Sequence, residues 1–291
     1  MSGVVKWRGL YYVNGRADLS AHRPTAVRRL ATFASADFEH WSPCSAVGLD
    51  RGPVVYGPST ADHAHQYYEE IHLRAALWDR QSVRMGMHGM WHDHFSGDRA
   101  GVVMDLGLAL SHDAIHFHEP IPGFRIVLAR EQPERPLGVW PSLTQGQGME
   151  NFGDRTLYWY SLWRGTARSG VRMISWARDQ LGYLKPFRTD EQKAISCPAR
   201  VEAGPMRAFA NVSGVGEHSR LRVGLLDEGL RPIPGCAVQD AEPLAVDALR
   251  APLRWRGGDA LTPAMGAVRF DVRFEGVRVE DGRLHAVYLE R

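Results

Sequence analysis

Glu70, His72 and Arg74 stand at alternate positions of the run Glu70-Ile71-His72-Leu73-Arg74. Extended backbone turns alternate residues to one face, so this stretch predicts a carboxylate, an imidazole and a guanidinium side by side. The guanidinium offers a planar fork of donors to hydroxyl or carboxylate groups. A second set lies in Gln145-Gly146-Gln147-Gly148-Met149-Glu150-Asn151-Phe152-Gly153-Asp154. Two carboxyl groups near one bond can divide acid–base work, one donating a proton and one acting as base or nucleophile. Glu70, Glu150 and Asp154 are the catalytic candidates. His72, Arg74, Gln147 and Asn151 are candidates to bind substrate, and so is Trp140, in a proline-rich loop, as a stacking surface. The competing reading pairs Glu70 and Glu150 with cations such as Arg74 in a purely structural network.

Other chemistries fare worse. His88, His92 and His94 cluster with Asp93, and His112, His116 and His118 follow. Histidine and aspartate ligate zinc-like ions, but this spacing fits no compact signature, so no metal and no cofactor are expected. Cys44, Cys197 and Cys236 lie too far apart in sequence to suggest a metal pattern or a disulfide framework. With 35 basic and 33 acidic residues the net charge is +2, which supplies no field for nucleic acid or a membrane surface. Residues 1–13 lack a basic segment followed by an apolar run, and no stretch approaches a membrane span. The expected location is cytoplasmic.

Strands must position these residues. Residues 67–120 read as four antiparallel strands, the last at 115–120, and so as one blade of a β-propeller. The turn that ends this unit recurs. Ser35-Ala36-Asp37-Phe38 matches Ser111-His112-Asp113-Ala114, and Ser175 to Tyr183 is a fainter third copy. The three aspartates are 76 and 66 residues apart (113 − 37 and 179 − 113). Val4 to Asn14, Ala26 to Ala34 and a short stretch at 38–41 read as the second, third and fourth strands of a blade whose first strand is absent. Residues 145–187 read as another full blade. From residue 194 the strands shorten; Val268, Phe270, Val272 and Phe274 alternate with Arg269, Asp271 and Arg273, as in a strand with one solvated face. The fold class expected is all-β: part of a propeller over 1–190 (blade strands at 4–43, full blades at 67–120 and 145–187) and a β-sandwich over 194–291.

These motifs resemble the superfamily of five-bladed propeller glycoside hydrolases that contains families 32 and 43. The likeness rests on Glu70 to Arg80, Met85 to Trp91, Asp105 to Asp113 and Gln145 to Asp154. In the tail it rests on Leu221-Arg222-Val223, Pro232 to Gly235, Leu253-Arg254-Trp255 and Leu284 to Tyr288. The resemblance implies a carbohydrate substrate and O-glycosyl hydrolysis. It also implies an aspartate on a first blade that this chain lacks. The expected function is therefore a family 32/43-like glycoside hydrolase; the alternative is a non-catalytic carbohydrate-binding or scaffold propeller, or a degenerate remnant. An unclosed set of blades exposes apolar faces, so a homo-oligomer or a partner subunit that supplies missing blades is expected.

Overall fold

The computed structural model describes residues 2–17, 29–42, 46–49, 71–80, 83–92, 103–132, 142–163, 170–188, 190, 192–201 and 204–291. Of residues 2, 3, 16, 17, 29, 46, 47, 71–76, 91, 92, 147, 148 and 163 it describes the backbone alone. Every regular element described is a strand or a single 3-10 turn, so the class is all-β. The chain divides into two compact units, Met1–Glu150 with Leu157–Ile174, and Asn151–Thr156 with Ser175–Arg291. The second unit thus takes the hairpin tip 151–156 and residues 175–193 as well as the tail.

The first unit begins with a four-stranded antiparallel sheet in chain order: β1 Ser2–Trp7, β2 Leu10–Ala17, β3 Arg29–Ser35 and β4 Ala46–Leu49. Residues 4–14 are therefore not one strand. Arg8 (φ 48°) and Gly9 (φ 85°) form a tight turn, with Trp7 paired to Leu10 across it. Two-residue hairpins favour positive φ at both turn positions, which an arginine in the first place conceals from a sequence reading. The first repeat thus has its first strand.

A second antiparallel set repeats this plan: β5 Ile71–Arg80, β6 Val83–His92, β7 Val103–Ser111 and β8 Arg125–Val127. Its registers copy those of the first. Tyr11 opposite Ser35 corresponds to Arg84 opposite Ser111, and Val13 opposite Phe33 to Gly86 opposite Ala109. On the far side, Leu30 pairs Leu49 and Ala31 pairs Val47, with an irregularity between them; Leu106 pairs Val127 and Gly107 pairs Arg125, with the same irregularity. The stretches 38–41 and 115–120 are not the fourth strands. Each contributes one bridge, Ser35 to Trp41 and Leu110 to His118, and the true fourth strands come later.

The turn that joins third strand to fourth is duplicated atom by atom. The Ser35 hydroxyl donates to Asp37 at 3.0 Å and the Ser111 hydroxyl to Asp113 at 3.1 Å. The Asp37 carboxylate accepts the N–H groups of Glu39 and His40; that of Asp113 accepts those of Ile115 and His116. The residue after each aspartate is left-handed, Phe38 at φ 71° and Ala114 at φ 63°. Asp179 breaks the pattern, because there the aspartate itself is left-handed (φ 57°).

The two sheets pack face to face. Val5, Tyr12, Leu30 and Leu49 of the first meet Leu77, Ala109, Ala114 and Phe117 of the second. The Phe117 N–H donates to the Gly48 carbonyl at 2.6 Å between them. A Cβ on Gly48 would stand 2.6 Å from the Ile115 carbonyl oxygen, so only glycine permits this approach. A third meander follows: β9 Ser142–Phe152, β10 Arg155–Trp163 and β11 Val171–Ala177, with β9 joined to β7 by one parallel pair, Met104 to Ser142.

The second unit holds two four-stranded sheets. One joins β12 Lys193–Ile195, β13 Ala199–Arg200 and β15 Arg220–Asp227 to β18 Ala267–Glu275. The other joins β16 Ala248–Pro252, β17 Ala260–Leu261 and β19 Arg283–Glu290 to β14 Met206–Ser213. Val268, Phe270, Val272 and Phe274 are all buried in one core with Ala208, Ala210, Leu221 and Val223, as their alternation requires. Asp271, on the other face, is also buried, with the Arg273 guanidinium paired to its carboxylate. Leu253 to Trp255 is not a strand; Trp255 caps the core and its indole N–H donates to the Val223 carbonyl at 2.7 Å.

Candidate functional site

The first candidate set lies at the start of β5. Glu70 lies outside the described residues, as does Trp140. His72 and Arg74 lie on β5, and the backbone there departs from simple alternation. Ile71 and His72 pair with Met90 and Gly89, whereas Ala76 and Leu77 pair with Met87 and Gly86, so the strand bulges between His72 and Ala76. The first strand of the preceding repeat also bulges near its start, between Ser2 and Val4. Bulges re-aim side chains and are enriched beside active sites. The bulge falls within the stretch whose alternation the sequence suggests, and Glu70, at its start, lies outside the described residues.

The second set lies on the β9–β10 hairpin. Glu150 is exposed near the end of β9, and Asp154 is exposed in the tight turn that follows Gly153. Gln147 lies on β9. Gly146 beside it is dictated by packing, since a Cβ there would stand 1.9 Å from the Trp159 carbonyl oxygen. Its N–H donates to the Tyr158 hydroxyl at 3.1 Å, and burial pushes that phenol well above the ordinary tyrosine range. Asn151 is committed to structure: its amide donates to Asp179 at 2.9 Å and its carbonyl accepts from Thr156 at 2.7 Å. Asp179 also accepts from Tyr288 at 2.7 Å, and its own N–H donates to Thr156. Asn211, fully buried, donates to the Arg178 carbonyl at 2.6 Å and accepts from Gln180 at 3.0 Å. This saturated network ties the hairpin tip and residues 178–180 to β14 and β19 within the second unit.

Buried charge also lies in the second repeat. Arg84, 1% exposed, stacks 3.9 Å from the Trp7 ring centroid, with Asp79 3.4 Å away. Burial lowers the Arg84 pKa, and Asp79 opposes that shift. His88 is fully buried with its Nε2 3.6 Å from Glu119. Asp105, also buried, accepts the Ala129 N–H at 2.7 Å and lies 3.4 Å from Arg125, so it fastens the segment after β8 onto β7. A histidine or aspartate inside an otherwise apolar strand, as at His88 and Asp105, was the legible signal. Among the described residues no group of histidine, cysteine and carboxylate side chains converges to hold a metal ion.

Two histidine–aspartate pairs, His40–Asp37 and His116–Asp113, meet at 2.7 Å on the surface. Neither is a nucleophile-activating pair. Ser35 and Ser111 donate to the aspartates, not to the imidazoles, so no hydroxyl is activated by a base. Bonds from the His40 N–H and imidazole hold the Asp37 carboxyl far below the usual range. At Asp113 burial acts upward, but the bonds from His116, Ile115 and Ser111 outweigh it and the pKa is lowered. These are turn staples.

No family model matches the sequence, and no curated protein matches it. Solved structures do align with the chain. One is a protein of unknown function from Dyadobacter fermentans, 12% identical over 94% of each chain, with a TM-score of 0.36. A mutant Bombyx mori GH32 β-fructofuranosidase in complex with sucrose is 12% identical with a TM-score of 0.30; the alignment covers 99% of this chain and 64% of that one. A glycoside hydrolase family 43 arabinoxylan arabinofuranohydrolase from Bacillus subtilis is 10% identical with a TM-score of 0.28, over 100% of this chain and 54% of that one. The chain thus spans under two thirds of both hydrolases, and likenesses at this level assign it no activity.

Proposed function

We propose that the chain is a carbohydrate-active protein that hydrolyses a glycosidic bond, with carboxylates on the first strands of its blades. Glu70 and Glu150 are the proposed acid and base or nucleophile, with Asp154 as the third carboxylate. His72, Arg74, Gln147 and Asn151 are the proposed groups for sugar hydroxyls, with Trp140 as the stacking surface. The bulge at the start of β5, repeated at the start of β1, is the observation that carries this reading, because it singles out the segment bearing His72 and Arg74. The blade repeat and the motif resemblance support it. A panel of aryl glycosides tests it: turnover of at least one member by wild type, lost in Glu70→Gln, is the expected result. If wild type turns over no panel member, the hydrolase reading falls.

The second reading is a non-catalytic carbohydrate-binding module. It is favoured by the exposure of Glu150 and Asp154 and by the full engagement of Asn151 in the second unit's network. Glycan binding without turnover, by array, would select it.

A further inference from the structure

Ser213 and His285 meet in the second unit, with the Ser213 hydroxyl oxygen 2.8 Å from Nε2 of the imidazole. The other ring nitrogen, Nδ1, lies 2.8 Å from the Gly182 carbonyl oxygen. A carbonyl only accepts, so Nδ1 carries the proton. In the neutral ring Nε2 is then the acceptor, and the Ser213 hydroxyl donates to it. The local fold produces this order. Leu284 pairs with Val212 and Ala286 with Asn211, so His285 is the extra residue of a bulge on β19. Bulges re-aim side chains. Ser213 ends β14, and Gly214 (φ 70°) turns the chain away at once; a Cβ there would collide with the Asp281 carbonyl. Leu184 bridges to Leu284, which holds the preceding Gly182 carbonyl beside the ring.

We propose that Ser213 is a nucleophile toward carboxylic esters, with His285 as its general base and the Gly182 carbonyl as the group that positions that base. A hydroxyl, a base within hydrogen-bond reach and a third group that orients the base form the arrangement that activates a serine. His40 and His116 lack it, because the nearby serines donate to the aspartates. Burial lowers the His285 pKa; the Gly182 bond and the Asp247 charge oppose the shift, and the Arg283 charge adds to it. The ring is therefore neutral at pH 7 and able to take a proton. Arg283 stands opposite Ser213 in the register, on the same face, where its charge favours a developing oxyanion. The Tyr183 ring, 52% exposed and edge-on to the imidazole at 5.9 Å, offers an apolar surface for the ester's organic group. Ser213 and His285 are themselves only half-buried, so the pair is open to solvent. In the reaction Ser213 Oγ attacks the ester carbonyl carbon while its proton passes to Nε2. The ester C–O bond breaks, and the leaving alkoxide takes that proton. Water then attacks the acyl-serine and gives a proton to Nε2, and the carboxylic acid departs as Oγ regains it. This activity is independent of the proposed glycoside hydrolysis.

Two measurements on the full chain test it: labelling by an alkyl fluorophosphonate, mapped by peptide mass spectrometry, and hydrolysis of p-nitrophenyl acetate. The label is expected on Ser213. Hydrolysis is expected to fall at least about 100-fold in Ser213→Ala and in His285→Gln. The wild-type rate should rise with pH as the imidazole loses its proton, with a midpoint below the ordinary histidine value of about 6.5. Ser213→Ala leaves the bond from His285 to Gly182 in place, and its melting curve checks the fold. The labelled position in wild type is read without any variant, so a misfolded His285→Gln does not blur the answer. If the pair only ties residues 182–184 to the sheet, Ser213 takes no label. No label on Ser213, no ester turnover by wild type, or a Ser213→Ala rate equal to that of wild type would each overturn the proposal.

Discussion

Ala114 and Phe38 occupy one left-handed position in two copies of one turn, yet Ala114 is fully buried and Phe38 is half exposed. The difference follows from what lies against each. Val5 and Tyr12 of the first sheet pack over Ala114. Ala114→Phe should therefore force the two sheets apart. The expected cost is about 1–3 kcal/mol, read as a lowered midpoint in urea with the slope retained. An unchanged midpoint would show that the sheets do not meet there.

The Asp113 staple sets a pH dependence. Its carboxyl pKa is lowered in the fold, so it contributes stability above the unfolded value, about 4, and loses that contribution as pH falls from there. Asp113→Ala removes the acceptor for the Ile115 and His116 N–H groups and should cost about 1–2 kcal/mol at pH 7. The gap between wild type and variant should narrow from pH 5 to pH 2. Melting curves across that range measure it; a constant gap would mean the carboxylate's charge is irrelevant to the turn.

Arg8 gives a prediction of the opposite sign. It sits at φ 48° in the β1–β2 turn before Gly9, and its guanidinium lies 4.3 Å from the Trp7 ring centroid. Arg84 stacks on that ring too, and the Arg8 charge lowers its pKa further. Arg8→Asn creates an Asn-Gly pair, the preferred sequence for a two-residue hairpin with positive φ at both positions. It also removes a like charge near a buried cation. Stability should rise by about 0.5–1 kcal/mol, seen as a higher melting temperature. A lower one would mean that the Arg8–Trp7 contact outweighs both gains.

Much of the fold was legible because its signals are local. The Ser-x-Asp turns announced themselves at Asp37 and Asp113, since the side chains that define the turn are the ones that bond its backbone. The alternation of Val268 to Phe274 likewise gave the buried face of β18. What escaped had non-local causes. The Arg8-Gly9 turn lacks the asparagine that would mark it, so a hairpin read as one strand. Asp179 shares the spacing of the other two aspartates but is bound by Asn151 and Tyr288, partners 28 and 109 residues away, which no turn pattern reveals. The fourth strands, Ala46–Leu49 and Arg125–Val127, are too short for their pairing to leave a periodic signature. At the candidate site, residue types pointed to β5 and β9, but the bulge between His72 and Ala76 depends on how β6 pairs alongside.

The candidate carboxylates can be separated by kinetics. Under the hydrolase reading a positioned proton donor or base on the first strand of a blade contributes about 10²–10⁴-fold to turnover. Glu70→Gln should lower kcat by that factor on any aryl glycoside the wild type cleaves. A good leaving group needs less protonation, so if Glu70 is the acid the loss should shrink as the aglycone becomes more acidic. Asp154 stands in an exposed hairpin turn whose carbonyl accepts the Arg178 N–H at 2.8 Å, a backbone contact that Asp154→Asn leaves in place. A kcat kept within a few-fold, with KM little changed, would remove Asp154 from the catalytic set. A loss of kcat in Asp154→Asn equal to that in Glu70→Gln would instead pair those two carboxylates and leave Glu150 out.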